Sequence, residues 1–109
     1  MTADLEQLGR FSEPALLVLS SLADGPKHGY AITKDVDEMA GVTLGPGTLY
    51  GALSRLEERG LIEALPPEER RRPYKLTGAG ARVLRQRLEA LADVSRTGLS
   101  RLRAAGAKA

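Results

Sequence analysis

The sequence of 109 residues contains no cysteine, no tryptophan and a single histidine. Without cysteine there is no disulfide, no thiolate-bound zinc or iron–sulfur cluster and no thiol nucleophile. A lone histidine makes a metal site poorer still, so neither metal nor cofactor is expected. Aromatic residues make up 4% of the chain and hydrophobic residues 42%, mostly Leu and Ala, which suits a helical protein better than a β-sandwich. No apolar run approaches the ~18 residues that a membrane span needs. The opening "MTADLEQLGRF" is acidic and helix-like, unlike a secretory signal, so a soluble cytoplasmic protein without a membrane partner is expected. A phosphate loop and paired carboxylates in a glycine-punctuated setting are also missing. That leaves no catalytic constellation and argues against an enzyme. At this length one domain with a small core is expected.

The net charge of +2 hides an uneven distribution. Residues 1–77 carry nine Lys or Arg against twelve Asp or Glu, and residues 78–109 carry seven against two. Bulk charge therefore decides nothing about nucleic acid. A local run does more: "RRRPYK" gathers Arg70, Arg71, Arg72 and Lys75 without an acid, as a phosphate-contacting patch or a solvated basic turn.

Along the chain, Leu5, Leu8 and Phe11 recur at helical spacing in a short amphipathic segment over 1–11. Ser12 can cap a second helix that starts near residue 13, with Pro14 in its first turn. "PALLVLSSLA" is apolar almost all round and belongs at the centre of the core, and "DGP" stops it. "KHGYAITKDVDEMAG" restarts a helix with Ile32, Val36 and Met39 in register and Gly41 as its stop.

In "LGPGTLYGALSRLEERGLI" a helical wheel puts Leu49, Ala52, Leu53 and Leu56 in one arc of about 100°, the buried stripe. Opposite lie Gly47, Gly51, Ser54 and Glu58, flanked by Thr48 and Arg55 on one side and Tyr50 on the other. "LIEAL" and "RPYKLT" are short strand candidates around a charged turn, with Pro73 sending its strand to an edge. Thr77 can then cap a final helix of about 26 residues, ~40 Å long. Leu84, Leu88, Leu91, Leu99 and Leu102 share one side of it, with Ser95 in the remaining slot. Only its first two turns can fold back on the domain, so the stripe calls for a partner, most simply a second subunit. The Ala- and Gly-rich tail is expected to fray.

The expected fold is thus mainly α with a small β-hairpin, in the order of a winged helix-turn-helix, whose third core helix enters the major groove while the wing touches flanking backbone. Three segments, "LADGPKHGYAI", "GPGTLYGALSRLEERGLI" and "RRPYKLT", resemble in order and spacing the PadR family of bacterial transcriptional regulators. The resemblance covers about residues 12–80. It implies a homodimeric repressor that binds a pseudo-palindromic double-stranded DNA operator and is released by a small-molecule effector or stress signal. The expected divisions are an N-terminal dimer contact (1–11), a DNA-binding domain (12–77) and a C-terminal dimerisation helix with a frayed tail (78–109).

Physically, a helix approaches base edges closely only if its leading turn lacks bulk. Gly47 and Gly51 remove that bulk, while Thr48, Tyr50 and Ser54 supply hydroxyls. Close packing against a neighbouring helix would explain the two glycines as well. Amides near Pro46 and Gly47 offer a positive dipole end to a phosphate, and Glu58 confines contact to the first half of the helix. Arg55 could take a guanine or a phosphate, or pair with Glu58. Tyr50 suits either a half-buried ring with an outward hydroxyl or a core position. His28, Gly29 and Tyr30 match the family's His-Gly-Tyr: Gly29 permits close packing, His28 caps the helix or reaches phosphate, and Lys27 is the better phosphate contact. In the wing, Arg70, Arg71, Arg72, Tyr74 and Lys75 are candidates, of which about two of the four cations contact DNA because Glu68 and Glu69 weaken the local field. Dimer candidates are Leu5, Leu8, Phe11, Leu84, Leu88, Leu91, Ser95, Leu99 and Leu102. The last helix has no aromatic residue, which speaks against an aromatic stacking pocket for the effector.

The acidic balance of residues 1–77 also allows a winged-helix protein-interaction module that never touches DNA. Counterion release separates the two. If each subunit neutralises about four phosphates, log K for a dimer falls with log salt at a slope of roughly −7, and Arg71→Ala with Arg72→Ala makes that slope shallower. An unchanged slope would remove the wing from the DNA contact.

Overall fold

The computed structural model describes residues 14–106. Its elements are α1 (Pro14–Leu22), β1 (Lys27–His28), α2 (Gly29–Ala40), α3 (Pro46–Glu58), β2 (Ile62–Ala64), β3 (Pro73–Leu76) and α4 (Gly78–Ala104). Leu5, Leu8, Phe11 and the Ser12 cap lie outside the described residues.

Because α1 is apolar on nearly every side, it can be packed on nearly every side, and it touches α2, α3, α4 and β3. Val18, Leu19 and Leu22 are buried there, with Ala15, Leu16 and Leu17 at the margin. Ile32 and Val36 come in from α2, Leu44 from the following loop, Leu49, Ala52, Leu53 and Leu56 from α3, and Ile62 from β2. The expected stripe of α3 is therefore its core face. Met39, expected to continue the α2 stripe, is 48% exposed. Truncating a side chain as enclosed as Leu53 to alanine costs about 2–5 kcal/mol.

Glycine ends two helices by taking left-handed backbone. Gly41 (φ 67°) donates its N–H to Asp37 O at the end of α2. After α3, Gly60 (φ 73°) donates to Glu57 O and Leu61 donates to Leu56 O, the paired bonds of a Schellman motif. The chain thereby turns directly from α3 into β2.

The sheet has three antiparallel strands in the order β1-β3-β2. Two expectations need correction. The two residues of β1 form a strand where only helix was foreseen, since two residues are too few to display alternation. Pro73 lies not on an edge strand but on the central one. It is tolerated because it is the first residue of β3, paired with His28 at the end of β1, so its missing N–H falls at the strand's end while its carbonyl accepts from Leu65 N at 2.8 Å.

Glu68 and Arg71 exchange both backbone bonds across the wing tip, at 2.7 and 2.8 Å, leaving Glu69 and Arg70 as the turn. Glu69 has φ 55°, a conformation that hairpin turns normally give to Gly, Asn or Asp. A non-glycine residue held there costs on the order of 1 kcal/mol.

Thr77 caps α4 as expected: its Oγ1 accepts from Gly80 N at 3.0 Å and donates to Gly60 O at 2.7 Å. Its backbone N–H also donates to Leu61 O, at 3.1 Å. Leu84 is a core residue, 5% exposed, and is corrected from the expected dimer stripe: the second turn of α4 still covers the body. Beyond it, residues 85–106 are all exposed, including Leu88, Leu91, Ser95, Leu99 and Leu102. Among the described residues the exposed stripe begins one turn later than the sequence suggested.

A β-carbon on Gly80 would sit 2.0 Å from Leu61 O, a backbone atom that cannot swing aside. Gly80→Ala should therefore destabilise the fold by about 2–3 kcal/mol, lowering Tm by several degrees per kcal/mol in thermal denaturation followed by circular dichroism. An unchanged Tm would contradict this packing of α4 on the turn after α3.

Candidate nucleic-acid interface

The N-terminal half of α3 presents a low, uncovered face. Pro46 opens the helix, where a missing N–H costs no hydrogen bond. Pro46, Gly47, Thr48, Ser54 and Arg55 are exposed. A β-carbon on Gly47 would meet nothing within 4 Å, and one on Gly51 would meet only Arg55 Nη1 at 3.5 Å. Neither glycine is there to admit a neighbouring helix among the described residues. Nor does Arg55 pair with Glu58: among the described residues its side chain forms no hydrogen bond or ion pair.

Gly29 does admit a neighbour. Its position is so close to α3 that a β-carbon would lie 2.7 Å from the Tyr50 hydroxyl and 3.4 Å from Leu49 Cδ2. The Tyr50 ring lies over the start of α2 and remains 54% exposed, between the two positions open to it from sequence. Tyr30, 70% exposed, projects beside it. Together with His28, Gly29, Tyr74 and Arg70–Arg72 these residues line a cleft of about 280 Å³ between the α2 start, α3 and the wing. Every tyrosine and the one histidine of the chain converge there. Tyr74 is half-buried in the central strand. Burial pushes its phenol above the usual range, Glu57 adds to this and Arg72 opposes it, so it remains a neutral donor.

The wing cations divide by partner. Arg72 Nη1 donates to Leu65 O at 3.0 Å and Lys75 lies 3.5 Å from a Glu63 carboxylate oxygen. Those two brace the strands of the wing. Arg71 Nη1 lies 3.2 Å from His28 Nε2, while Arg70, in the exposed turn, has no hydrogen bond or ion pair among the described residues. His28 is the N-cap of α2, its Nδ1 accepting from Ala31 N at 3.3 Å.

Lys27 is corrected from its expected place as an outward phosphate contact. Its ammonium turns inward, donating to Ser21 O and Asp24 Oδ1 and lying 4.0 Å from Asp35 Oδ2. Ser21, 1% exposed, in turn donates to Asp35 Oδ2 at 2.7 Å. Nothing in the local sequence marked this network, because its members are separated by a turn and a strand.

The model of the transcriptional regulator PadR-like family matches residues 18–86. The chain belongs to this PadR-like family. Among curated relatives, a transcriptional regulator of Mycobacterium tuberculosis is 34% identical over 84 residues, 74% of this chain and 78% of that one. The 37.1 kDa protein in transposon TN4556 of Streptomyces fradiae is 45% identical over 86 residues, 79% of this chain. This chain spans only 25% of that protein's length. Among solved structures, a PadR family transcription regulator of Clostridium difficile superposes with a TM-score of 0.74 at 29% identity, covering 82% of this chain and 97% of the other. A PadR family regulator of Eggerthella lenta gives 0.70 at 29% identity, covering 93% and 89%.

PadR-family proteins are DNA-binding transcription regulators, and the mostly helical fold with its small sheet is the winged helix of that family. Among the described residues no helix is long and apolar enough to cross a membrane.

The inward lysine of this PadR-like chain has a consequence for acid stability. The Lys27 hydrogen bond and charge hold the Asp24 carboxyl below its ordinary value of 3.8. A carboxylate lowered in the folded state contributes stability above its unfolded value and loses it as pH falls through the folded one. The stability difference between the natural chain and Asp24→Asn should hold above pH 3.8 and close as pH drops further, as read by denaturation across pH. Asp24 is exposed, so the difference should be small and should shrink in salt. A pH-independent difference would exclude the ion pair as its source.

Proposed function

We propose that this chain is a homodimeric repressor that binds a pseudo-palindromic operator through α3 and the wing and is released by a small-molecule or stress signal. The observation that carries the DNA contact is the bare face of α3 beside the basic wing tip: Gly47 open to solvent, Thr48, Ser54 and Arg55 exposed, and Arg70 and Arg71 at the mouth of the same cleft. A helix end stripped of bulk can lie close to sugar and phosphate, and its hydroxyls and amides then donate. Thr48, Tyr50, Ser54 and Tyr30 supply hydroxyls, and Pro46, Gly47 and Gly51 supply the clearance. Dimerisation through α4 is supported by the exposed Leu88, Leu91, Leu99 and Leu102, an apolar strip with Ser95 among them that no described residue covers. Two-fold symmetry then sets half-sites about 34 Å apart.

The partners of Lys27, Arg72 and Lys75 reduce the cations aimed at phosphate to Arg55, Arg70 and Arg71, so a dimer should show a log–log salt slope of roughly −5. Gly47→Leu is the discriminating variant. Its side chain enters open space, so Tm should not fall, while affinity for a labelled duplex from the chain's own upstream promoter should drop about tenfold or more in fluorescence anisotropy. Full affinity in Gly47→Leu would remove α3 from the interface. No anisotropy change with any duplex would favour a protein-interaction module.

A further inference from the structure

The contacts of His28 are mutually exclusive. Ala31 N–H points at Nδ1 and the Arg71 guanidinium faces Nε2, and both partners can only donate. A neutral imidazole accepts at one nitrogen, and an imidazolium at neither. If Nδ1 caps α2, then Nε2 carries a hydrogen and faces another N–H across 3.2 Å. An acceptor is missing between them. The adjoining cleft has room for one, and Arg70 beside it lacks a partner among the described residues.

We propose that this cleft is a phosphate-group site, in which an anionic oxygen accepts from His28 Nε2–H, Arg71 and Arg70, with the Tyr30 and Tyr50 hydroxyls alongside. One phosphate resolves the conflict at both ends of the ring. It takes the two facing N–H groups, and it leaves Nδ1 free to keep the α2 cap. The source of that phosphate, a DNA backbone or a free phosphate monoester, rests on the DNA-binding proposal above, whereas the site does not.

The occupied site is sensitive to pH. Histidine ordinarily titrates between pH 5 and 8, and a bound anion favours its charged form. Arg70 and Arg71 face His28 from the wing, with Glu68 and Glu69 on the adjoining surface. Tyr30 stacks against the ring at 6.5 Å from α2, Tyr50 approaches from α3, Tyr74 and Arg72 lie across the cleft, and neighbouring Lys27 is neutralised by Asp24. A phosphodiester, which keeps one negative charge throughout, should therefore bind more tightly as pH falls through the imidazole titration, whereas a phosphate monoester itself gains a proton in that range.

His28 is the only histidine, so its ring gives a single set of imidazole signals in NMR. Adding inorganic phosphate to the full chain, against chloride at equal ionic strength, should raise the midpoint of that titration by about half a pH unit or more. It should also shift the ¹⁵N signals toward the Nε2–H tautomer. Arg70→Ala with Arg71→Ala, both on the exposed wing tip, should abolish the rise without unfolding the chain. An equal midpoint in phosphate and chloride, or a rise that survives in the double variant, overturns the site. A mixed-sequence duplex that displaces phosphate and raises the midpoint itself identifies the backbone as the source. A duplex that binds without displacing phosphate identifies a free monoester. Loss of all duplex binding with the phosphate response intact would sink the DNA-binding proposal and leave the site standing.

Discussion

The joint at Thr77 and Gly80 governs how the parts of this molecule are held together. Four elements meet there within a few residues: α3 ends just before the turn at Gly60, β2 begins after Leu61, β3 ends before Thr77 and α4 begins after it. One hydroxyl serves two of them, donating to the Gly60 carbonyl and accepting from Gly80 N. The Thr77 amide then closes onto Leu61, and the bare α-carbon of Gly80 lets α4 rest on that same peptide. Nothing larger than hydrogen fits. The angle between α3 and α4 is consequently set by backbone contact rather than by side chains that could repack, which suits a protein whose proposed DNA contact and proposed dimer contact lie on those two helices.

A second polar joint performs the matching task at the other end of the sheet. Ser21, Asp24, Lys27 and Asp35 tie the end of α1 and the turn after it to β1 and the second turn of α2. Ser21 is almost wholly enclosed, and its hydroxyl is satisfied by Asp35, so burial there carries no unpaired donor. By holding β1 on β3, the network fixes His28 and the start of α2 next to the wing. The cleft beneath the wing is the product of both joints, since one positions its floor and the other its wall.

Much of this was legible from sequence, for reasons that can be named residue by residue. The stripe Leu49, Ala52, Leu53 and Leu56 repeats with helical period, and the stops at Gly41 and Gly60 and the cap at Thr77 are local signals that act over a few residues. The flat face of α3 was legible too, because glycine has no packing use unless something approaches it. What escaped was non-local. β1 is strand only because β3 lies alongside, Pro73 is central only because β1 exists, and Lys27 turns inward onto Ser21 O at the end of α1 and Asp24 in the turn, with Asp35 of α2 closing the network. Leu84 carries the same periodicity as Leu88, and only the extent of the body decides that one is core and the other surface. Gly80 gave no sign in a run of small residues, yet it meets the tightest backbone approach of any glycine for which contacts are resolved.

The division of the cations bears on how such a surface can recognise DNA at all. Residues 1–77 carry more acid than base, and of the basic residues near the cleft three are spent on the fold, by Asp24, Leu65 O and Glu63. A surface with so few outward charges cannot rely on a broad positive field. Close approach is the alternative: hydrogen bonds from hydroxyls and amides to phosphate depend on distance, and they fix register without a large counterion term. Gly47 and Gly51 supply the clearance that such contacts need, and Glu58 makes approach unfavourable beyond the first turns of α3. At the wing tip, the turn that Glu69 forms in its left-handed backbone conformation places Arg70 and Arg71 at adjacent positions on one cleft, where the proposed phosphate contact would draw on both charges.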